Sequence, residues 1–251
     1  MSDAIDLRPT LIQPDWPAPA NVEAFVTTRE TGPSQDSFAA FNPALHVGDN
    51  QDHVALCRRL LHKEIGDSRP LLWLNQVHGA WVQQCYDESL PDADAAVARN
   101  RDYACVVLTA DCLPVFFCDR AGTKVAVAHA GWRSLAGGVL EATVAALDVA
   151  PDELLVWLGP AISNAQFEVG PEVHDAFVGV HPQAHDAFEH SPYRLGHYMA
   201  DLYRLARLRL EALGITHVSG GHFCTACEPR FYSYRRDDGL TGRMASVIWL
   251  K

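Results

Sequence analysis

Three side chains of types that commonly bind transition metals lie far apart in the sequence but in similar local settings. They are His78, Cys112 and His129. Each follows an apolar run typical of a buried strand, and each has a glycine or alanine within two positions. Small neighbours let the backbone approach a ligand closely, and residues at strand ends often carry function. The pattern therefore indicates a site assembled at the ends of several strands.

Two imidazoles and one thiolate suit zinc, and they could also hold copper. Three protein ligands leave one tetrahedral position open, which is the arrangement of a catalytic zinc rather than a structural one. Such an ion lowers the pKa of bound water or polarises a substrate oxygen. The sequence thus favours a catalytic metal centre at His78, Cys112 and His129.

The same atoms permit a different chemistry. Cys112 could act as a nucleophile with His129 as its base, and with Asp111 or Asn75 orienting the ring. The intervals of 34 and 17 residues between the three side chains form no local metal motif. Both interpretations need a deprotonated cysteine, so they stay open at the level of the residues.

Several arginines are candidates for binding an anion. Arg133 lies four residues beyond His129, where a helix is predicted to begin, and the helix N-terminus would reinforce its charge. A structural salt bridge is an equally good interpretation of this residue. Arg235, Arg236 and Arg243 could form a local basic pocket.

Composition restricts the class of protein. The 251 residues carry a formal charge of −11, which argues against a nucleic-acid partner because such a surface needs a basic face. No apolar run reaches the roughly 18 residues of a membrane span. The seven cysteines are an odd number, and Cys105, Cys112 and Cys118 share one apolar stretch, as expected of reduced thiols in the cytoplasm. Cys224 and Cys227 are interpreted as a turn before a strand.

The predicted elements that must position these residues are mostly strands that follow one another without an intervening helix. This order favours an α+β fold with packed sheets, and no linker divides the chain, so residues 1–251 are predicted to form one domain. Strands are predicted at 22–28, 71–74, 105–108, 115–118, 124–128, 154–158, 231–234 and 245–250, and helices at 54–62, 134–147, 171–178 and 197–213.

Nine motifs in order along the chain resemble the YfiH family, described variously as purine nucleoside phosphorylases and as laccase-like polyphenol oxidases. They are PDWPAP (14–19), TTR (27–29), HVGD (46–49), NQVHG (75–79), ADCLPV (110–115), HAGWR (129–133), LGPAI (158–162), FYSYRR (231–236) and TGR (241–243). The resemblance implies a four-layer α-β-β-α sandwich with zinc on His78, Cys112 and His129.

The resemblance also implies an activity. It implies phosphate-dependent cleavage of adenosine, inosine, guanosine and methylthioadenosine, with adenosine deamination as a second activity. On this reading Arg133, with Arg29, holds the anion, Asn75 contacts substrate, and Asp111 is the candidate proton donor. Copper-dependent phenol oxidation and editing of a peptidoglycan precursor are the alternatives within the family.

The sequence departs from the family pattern at three places. They are residues 30–34, residues 42–44 and Ser134. We expect these segments to lie at the rim of the pocket, where they would alter substrate preference more than metal binding.

Overall fold

The computed structural model describes residues 6–66 and 69–251, and within these ranges it contains five α-helices and fourteen β-strands. The helices are α1 (Gln51–Ile65), α2 (Trp132–Ala136), α3 (Val139–Leu147), α4 (Pro171–Val178) and α5 (Leu202–Ala212). The strands are β1 (Leu11–Ile12), β2 (Val22–Thr27), β3 (Leu71–Leu72), β4 (Val82–Gln83), β5 (Ala95–Ala98), β6 (Ala104–Thr109), β7 (Leu113–Asp119), β8 (Val125–Ala130), β9 (Leu154–Leu158), β10 (Glu168–Val169), β11 (Phe188–His190), β12 (Tyr198–Ala200), β13 (Val218–Gly220) and β14 (Met244–Leu250).

The strands form two large sheets and one small one. The first sheet has the order β1-β2-β14-β6-β3, the second has the order β13-β9-β7-β8-β5-β4, and the small sheet has the order β10-β12-β11. Most neighbours in the large sheets are antiparallel, and the exceptions are the pairs β3 with β6, β4 with β5 and β13 with β9. This mixture of segregated helices and largely antiparallel sheets confirms the predicted α+β class.

The first sheet is buried on both faces. Alternate residues of a strand point to opposite faces, so Cys105 and Val107 of β6 pack towards the second sheet. Val106 and Leu108 of the same strand pack instead against a cluster that includes Leu61 of α1. Two-sided burial explains why this strand appears in the sequence as a continuous apolar run rather than an alternating one.

The second sheet repeats this arrangement in the opposite direction. Phe116 and Cys118 of β7 face the first sheet, whereas Val115 and Phe117 belong to the cluster that contains the buried residues of α3 and α5. The layers therefore run from α1 through the first and second sheets to α2–α5. This is the four-layer α-β-β-α sandwich that the resemblance implied.

The predicted helix 134–147 is two helices. The break falls at Gly137-Gly138, where Gly138 has a φ of +91° that no α-helix can continue through. The predicted helix 197–213 also begins too early, because Tyr198–Ala200 pairs with β10 and β11 as a strand. α5 starts after Asp201, whose carboxylate accepts a hydrogen bond from the Arg204 amide at 2.9 Å.

The predicted strand 231–234 is wrong. Phe231 and Tyr232 are fully buried, which explains the apolar pattern, but the segment pairs with no strand among the described residues. Its backbone turns instead, with the Asp237 amide bonded to the Ser233 carbonyl at 3.1 Å. Within residues 6–66 and 69–251, no helix is both long and apolar enough to cross a membrane.

Candidate metal centre

The three predicted ligands meet at one point although they come from three segments. His78 lies in the loop after β3, Cys112 lies between β6 and β7, and His129 lies on β8. One imidazole nitrogen from each histidine and the Cys112 sulfur all lie within 4.8 Å of one another. Among the described residues, this is the one group of three or more His, Cys, Asp and Glu side chains with that spacing.

Sheet register and one side-chain clamp explain the convergence. β7 pairs with β8 so that Pro114 lies opposite His129, which brings the residue preceding β7 close to this imidazole. The loop of His78 is fastened to β6 by Gln76, whose amide accepts from the Leu108 N–H at 2.7 Å and donates to the Leu108 carbonyl at 2.8 Å. Gln76 thus holds the loop that carries His78 against β6 of the first sheet.

Asp94, a fully buried carboxylate just before β5, organises two of the ligands. It lies 2.8 Å from Nδ1 of His129 and accepts from the backbone amides of His78 at 3.1 Å and Gly79 at 2.6 Å. Binding Nδ1 leaves Nε2 of His129 to face the other ligands, as outer partners of metal-binding histidines usually do. Sequence reasoning missed Asp94; the available signal was an acid directly before an apolar run.

Electrostatics favour the ligand form of the cysteine. Burial alone would raise the pKa of Cys112, but the charge of His129 and hydrogen bonds with His129 and His78 lower it to about 6. Burial likewise disfavours charge on His129, yet Cys112 and Asp94 raise its pKa. Asp94 has a lowered pKa because the hydrogen bonds it accepts outweigh its burial. A deprotonated thiol is what a metal needs.

The backbone leaves room for these ligands at Gly131. A Cβ at this position would lie 2.8 Å from the Cys112 sulfur and 3.3 Å from the His78 ring. Contacts this short would force the ligands to move, so only glycine fits here. Two imidazoles and a thiolate gathered around such a cradle fit a zinc ion with one open position.

The three ligands open into a cavity of about 620 Å³. This volume lies within the range of roughly 300–1,000 Å³ typical of small-molecule sites. Its wall includes the predicted site residues Asn75, Asp111 and Arg133, but it does not include Arg29. The cavity is also lined by Leu45, His46, Arg58, Trp73, Leu74, Gln76, Leu90, Leu108, Thr109, Ala110, Trp132, Ile162, Phe167, Tyr234, Arg235 and Arg243.

Asp111 is occupied by structural hydrogen bonds. Its carboxylate accepts from the hydroxyl of Thr225 at 2.6 Å, from the hydroxyl of Ser233 at 3.1 Å and from the Arg235 amide at 2.7 Å. These bonds attach the segment 225–235 to the connection between β6 and β7 that carries Cys112. The geometry gives no support to Asp111 as a proton donor, because both of its oxygens already have partners.

Arg133 lines the cavity but is exposed, and its guanidinium lies over Trp132 at 4.3 Å. The helix that carries it has only five residues, so the predicted reinforcement of its charge by a helix N-terminus is small.

Arg29 lies outside the cavity wall. Its side chain donates to the Ala39 carbonyl at 2.7 Å and lies 3.5 Å from the carboxylate of Asp237. Its position gives no support to an anion-binding role.

Asn75 is at the cavity wall, and its side-chain amide donates to Asp92 at 2.6 Å. Of the predicted basic pocket, Arg235 and Arg243 line the cavity, whereas Arg236 is bonded to Asp237 and to backbone carbonyls.

Cys224 and Cys227 form a turn, as interpreted, but the strand predicted directly after it, at 231–234, does not form, and the next strand along the chain is β14. The two side chains are joined as a disulfide, and the other five cysteines are free. The free cysteines include Cys105, Cys112 and Cys118, the three that the sequence predicted as reduced thiols.

Comparison with known proteins agrees with this geometry. A family model described as a multi-copper polyphenol oxidoreductase laccase matches residues 23–251. A relative called purine nucleoside phosphorylase YfiH, from Escherichia coli (strain K12), is 47% identical and covers 96% of this chain and 98% of that protein. The chain belongs to the YfiH family.

Other members of the YfiH family are equally well covered. A purine nucleoside phosphorylase of Pseudomonas aeruginosa is 54% identical over 96% of this chain and 98% of that protein. A crystal structure of a Neisseria meningitidis protein matches with a TM-score of 0.91 and 51% identity, covering 96% of this chain and 99% of that one. The structure of YlmD from Geobacillus stearothermophilus matches with a TM-score of 0.89 and 31% identity, covering 98% and 97%. These names support an enzyme of the phosphorylase kind.

Proposed function

We propose that this protein is a zinc-dependent purine nucleoside phosphorylase. The observation that carries the proposal is the group His78, Cys112 and His129, supported by Asp94, at the wall of a cavity that also holds arginines. The relatives named purine nucleoside phosphorylase support the same activity. The substrates would be adenosine, inosine, guanosine or methylthioadenosine together with inorganic phosphate.

The three ligands would hold zinc, or copper in its place, and a zinc ion would supply Lewis-acid chemistry. The protein's own residues then orient the reactants. The rings of Trp73 and Trp132 at the cavity wall offer apolar surface to a purine, and Asn75 offers an amide. Arginines of the wall hold the phosphate against the sugar, whose anomeric carbon gains positive charge as the bond to the base breaks.

Adenosine deamination is proposed as a second activity of the same centre. Zinc deaminases hold their metal with one histidine and two cysteines, or with three cysteines, and activate a water on it. The group here also combines imidazole and thiolate, but in the proportion of two histidines to one cysteine. This reaction consumes water and not phosphate, so the two activities are separable in an assay.

The test is a product analysis on zinc-loaded protein. Adenosine is supplied with and without inorganic phosphate, and adenine, ribose 1-phosphate and inosine are quantified by chromatography. We expect adenine and ribose 1-phosphate only when phosphate is present. Inosine should accumulate without phosphate, and with phosphate it should be partly cleaved to hypoxanthine and ribose 1-phosphate. Absence of adenine from zinc-replete protein at saturating phosphate would contradict the phosphorylase proposal.

One observation favours a second candidate. Cys112, His129 and Asp94 form a hydrogen-bonded series in which His129 contacts the thiol and Asp94 fixes its ring, as in a cysteine hydrolase. Such an enzyme, including one that edits peptidoglycan precursors, would turn over without metal and lose activity on thiol alkylation. A copper polyphenol oxidase would instead oxidise phenols in proportion to its copper content. Chelated protein tested on each substrate class separates the three.

A further inference from the structure

The cavity has an excess of positive side chains that no acid of its wall neutralises. It is lined by Arg58, Arg133, Arg235 and Arg243, and the one carboxylate of its wall is Asp111, which already accepts three hydrogen bonds. Within the described parts of the chain, none of these four guanidiniums lies within 4.0 Å of a carboxylate. In a chain with a formal charge of −11, such a local excess indicates an anionic ligand.

The four arginines differ in how they are held. Arg133 is exposed, and Arg235 donates both terminal nitrogens to the backbone carbonyls of Gln166 and Glu168. Arg58 and Arg243 are partly buried and more tightly positioned. Of the four, only Arg58 and Arg243 therefore combine a fixed side-chain position with a charge that is partly buried.

One segment positions both of these arginines. The carbonyl of Pro43 accepts from Nε of Arg58 at 2.8 Å, and the side chain of Asn42 accepts from the backbone amide of Arg243 at 3.0 Å. The Arg58 guanidinium also stacks on Trp73 at 3.9 Å. Because Asn42 and Pro43 are adjacent, this segment holds the guanidinium of Arg58 and the backbone of Arg243 near each other. The guanidinium of Arg243 is itself fixed by the carbonyls of Thr241 and Gly242.

Each guanidinium keeps donors for a ligand. An arginine has five N–H groups. In the described part of the molecule, Arg58 uses only its Nε–H, and Arg243 uses only Nη1, on the carbonyls of Thr241 and Gly242. Two nitrogens on each side chain are thus left for planar, bidentate recognition of an oxyanion.

The charges of the pair are energetically unfavourable in the free protein. Burial lowers the pKa of Arg58 to about 10 and also lowers that of Arg243. Desolvated charge without a counter-ion destabilises a fold, so a structural purpose would be served better by an uncharged side chain. A ligand that brings two negative charges would offset this cost.

We propose that Arg58 and Arg243 form the binding site for a phosphoryl dianion, either free inorganic phosphate or the phosphate ester of a larger ligand. Arg58 and Arg243 line the same cavity as Cys112, one of the predicted metal ligands. The bound dianion therefore lies in the cavity into which the metal centre opens. The reaction assigned to this dianion rests on the proposed phosphorylase function, but its binding does not. Arg243 belongs to the basic pocket that the sequence predicted, whereas Arg133, the other predicted anion-binding residue of the cavity, is a secondary contact.

Direct binding tests the site without any turnover. Zinc-loaded protein is titrated calorimetrically with inorganic phosphate and, separately, with adenosine 5′-monophosphate. Arg58→Met and Arg243→Met each remove charge but keep apolar bulk, and Arg59→Met is the matched control because Arg59 is the exposed neighbour of Arg58 on α1. We expect each test variant to weaken binding at least about tenfold, since each removes charged hydrogen bonds, and Arg59→Met and Arg133→Met to have smaller effects.

The two titrants identify the source of the phosphoryl group. Tight binding of phosphate indicates the free ion, and binding of the nucleotide alone indicates an ester. Unchanged affinity for both titrants in Arg58→Met and Arg243→Met, or an equal loss in Arg59→Met, would overturn the proposal. If phosphate binds at the arginine pair but adenosine yields no adenine, the anion site stands and the phosphorylase function fails.

Thermal stability excludes a merely structural role. Without phosphate, we expect Arg58→Met to melt at or above the temperature of the wild type, because an unpaired charge has been removed. With phosphate, the wild type should gain stability and Arg58→Met should not. A lower melting temperature in the absence of phosphate, with an unaltered response to phosphate, would show that Arg58 only supports the fold.

Discussion

The two ends of strand β7 carry the same chemical group in opposite electrostatic states. Cys112 immediately precedes the strand and is half-buried, and Cys118 lies near the other end and is buried. The pKa of Cys112 is lowered to about 6, whereas burial raises the pKa of Cys118 to about 12. Burial alone therefore does not decide the reactivity of a cysteine in this sheet.

The difference comes from what lies across the same pair of strands. At one end Pro114 of β7 pairs with His129 of β8, and at the other end Cys118 pairs with Val125. Cys112 thus meets two imidazoles, while Cys118 packs among apolar side chains between the two sheets and has the carboxylate of Asp119 next to it. One register determines both environments, and the following predictions test this contrast.

Removal of the thiol at each end should give the largest difference. We expect Cys112→Ala to lose zinc affinity by more than about 1,000-fold, because one ligand of three carries a large share of a binding free energy of roughly 10–16 kcal/mol. Cys118→Ala should retain one zinc per chain and its turnover. Elemental analysis after dialysis measures both, and full zinc occupancy in Cys112→Ala would refute the ligand assignment.

The carboxylates near the two ends offer a second contrast. Asp94→Asn should lower zinc affinity by about 10- to 100-fold, as loss of an outer partner of a ligand usually does. The control is Asp119→Asn, which weakens the hydrogen bonds of Asp119 to Thr123 and Lys124 at the far end of β7. Competition with a chromogenic chelator gives the affinities, and equal losses in the two variants would indicate a general effect on folding.

Alkylation of metal-free protein compares the thiols directly. At pH 7 we expect Cys112 to react with iodoacetamide at least about tenfold faster than Cys118 or Cys105, because it is a thiolate and lines the cavity. Its lowered pKa means that the thiolate is present above pH 6, so the rate should fall as the pH decreases through 6. Peptide mapping measures the rates, and exposed Cys85 confirms that the reagent is active.

Zinc loading should protect Cys112 from this reaction but leave Cys85 unprotected. Equal protection of both would mean that metal binding shields the protein generally, and the proposed coordination by Cys112 would lose its support.

The sequence predicted which three side chains converge at the candidate metal centre better than it predicted the residues around them. His78, Cys112 and His129 stand out because each interrupts or ends an apolar run, and residue type alone restricts their chemistry. Asp94 resembles any acid in a polar loop until β5 and β8 pair and bury it. The role of Arg58 depends on a contact with Pro43 that no helical pattern shows.

The fold shows a similar limit. Buried strands such as β6, β7 and β9 were predictable because two-sided burial leaves continuous apolar runs. The segment 231–234 has the same composition without a pairing partner, so its apolar side chains fill the core from a turn. The distinction depends on hydrogen-bond partners distant in sequence, which local periodicity does not encode.

The smallest expected effect concerns the thiol that only packs. Cys118→Ala removes one buried sulfur between the sheets, and we expect the free energy of unfolding to fall by about 1 kcal/mol, since the change leaves a small void. For a chain of this size that corresponds to a decrease in Tm of about 2–4 °C. Differential scanning calorimetry of metal-free samples provides the measurement, with Cys112→Ala as the matched variant.

Cys112 borders the cavity and its burial is incomplete, so its removal from metal-free protein should lower the free energy of unfolding less than removal of Cys118 does. If Cys112→Ala were instead the more destabilising variant without metal, Cys112 would contribute to the stability of the fold itself. The contrast between a reactive thiol at one end of β7 and a packing thiol at the other would then be wrong.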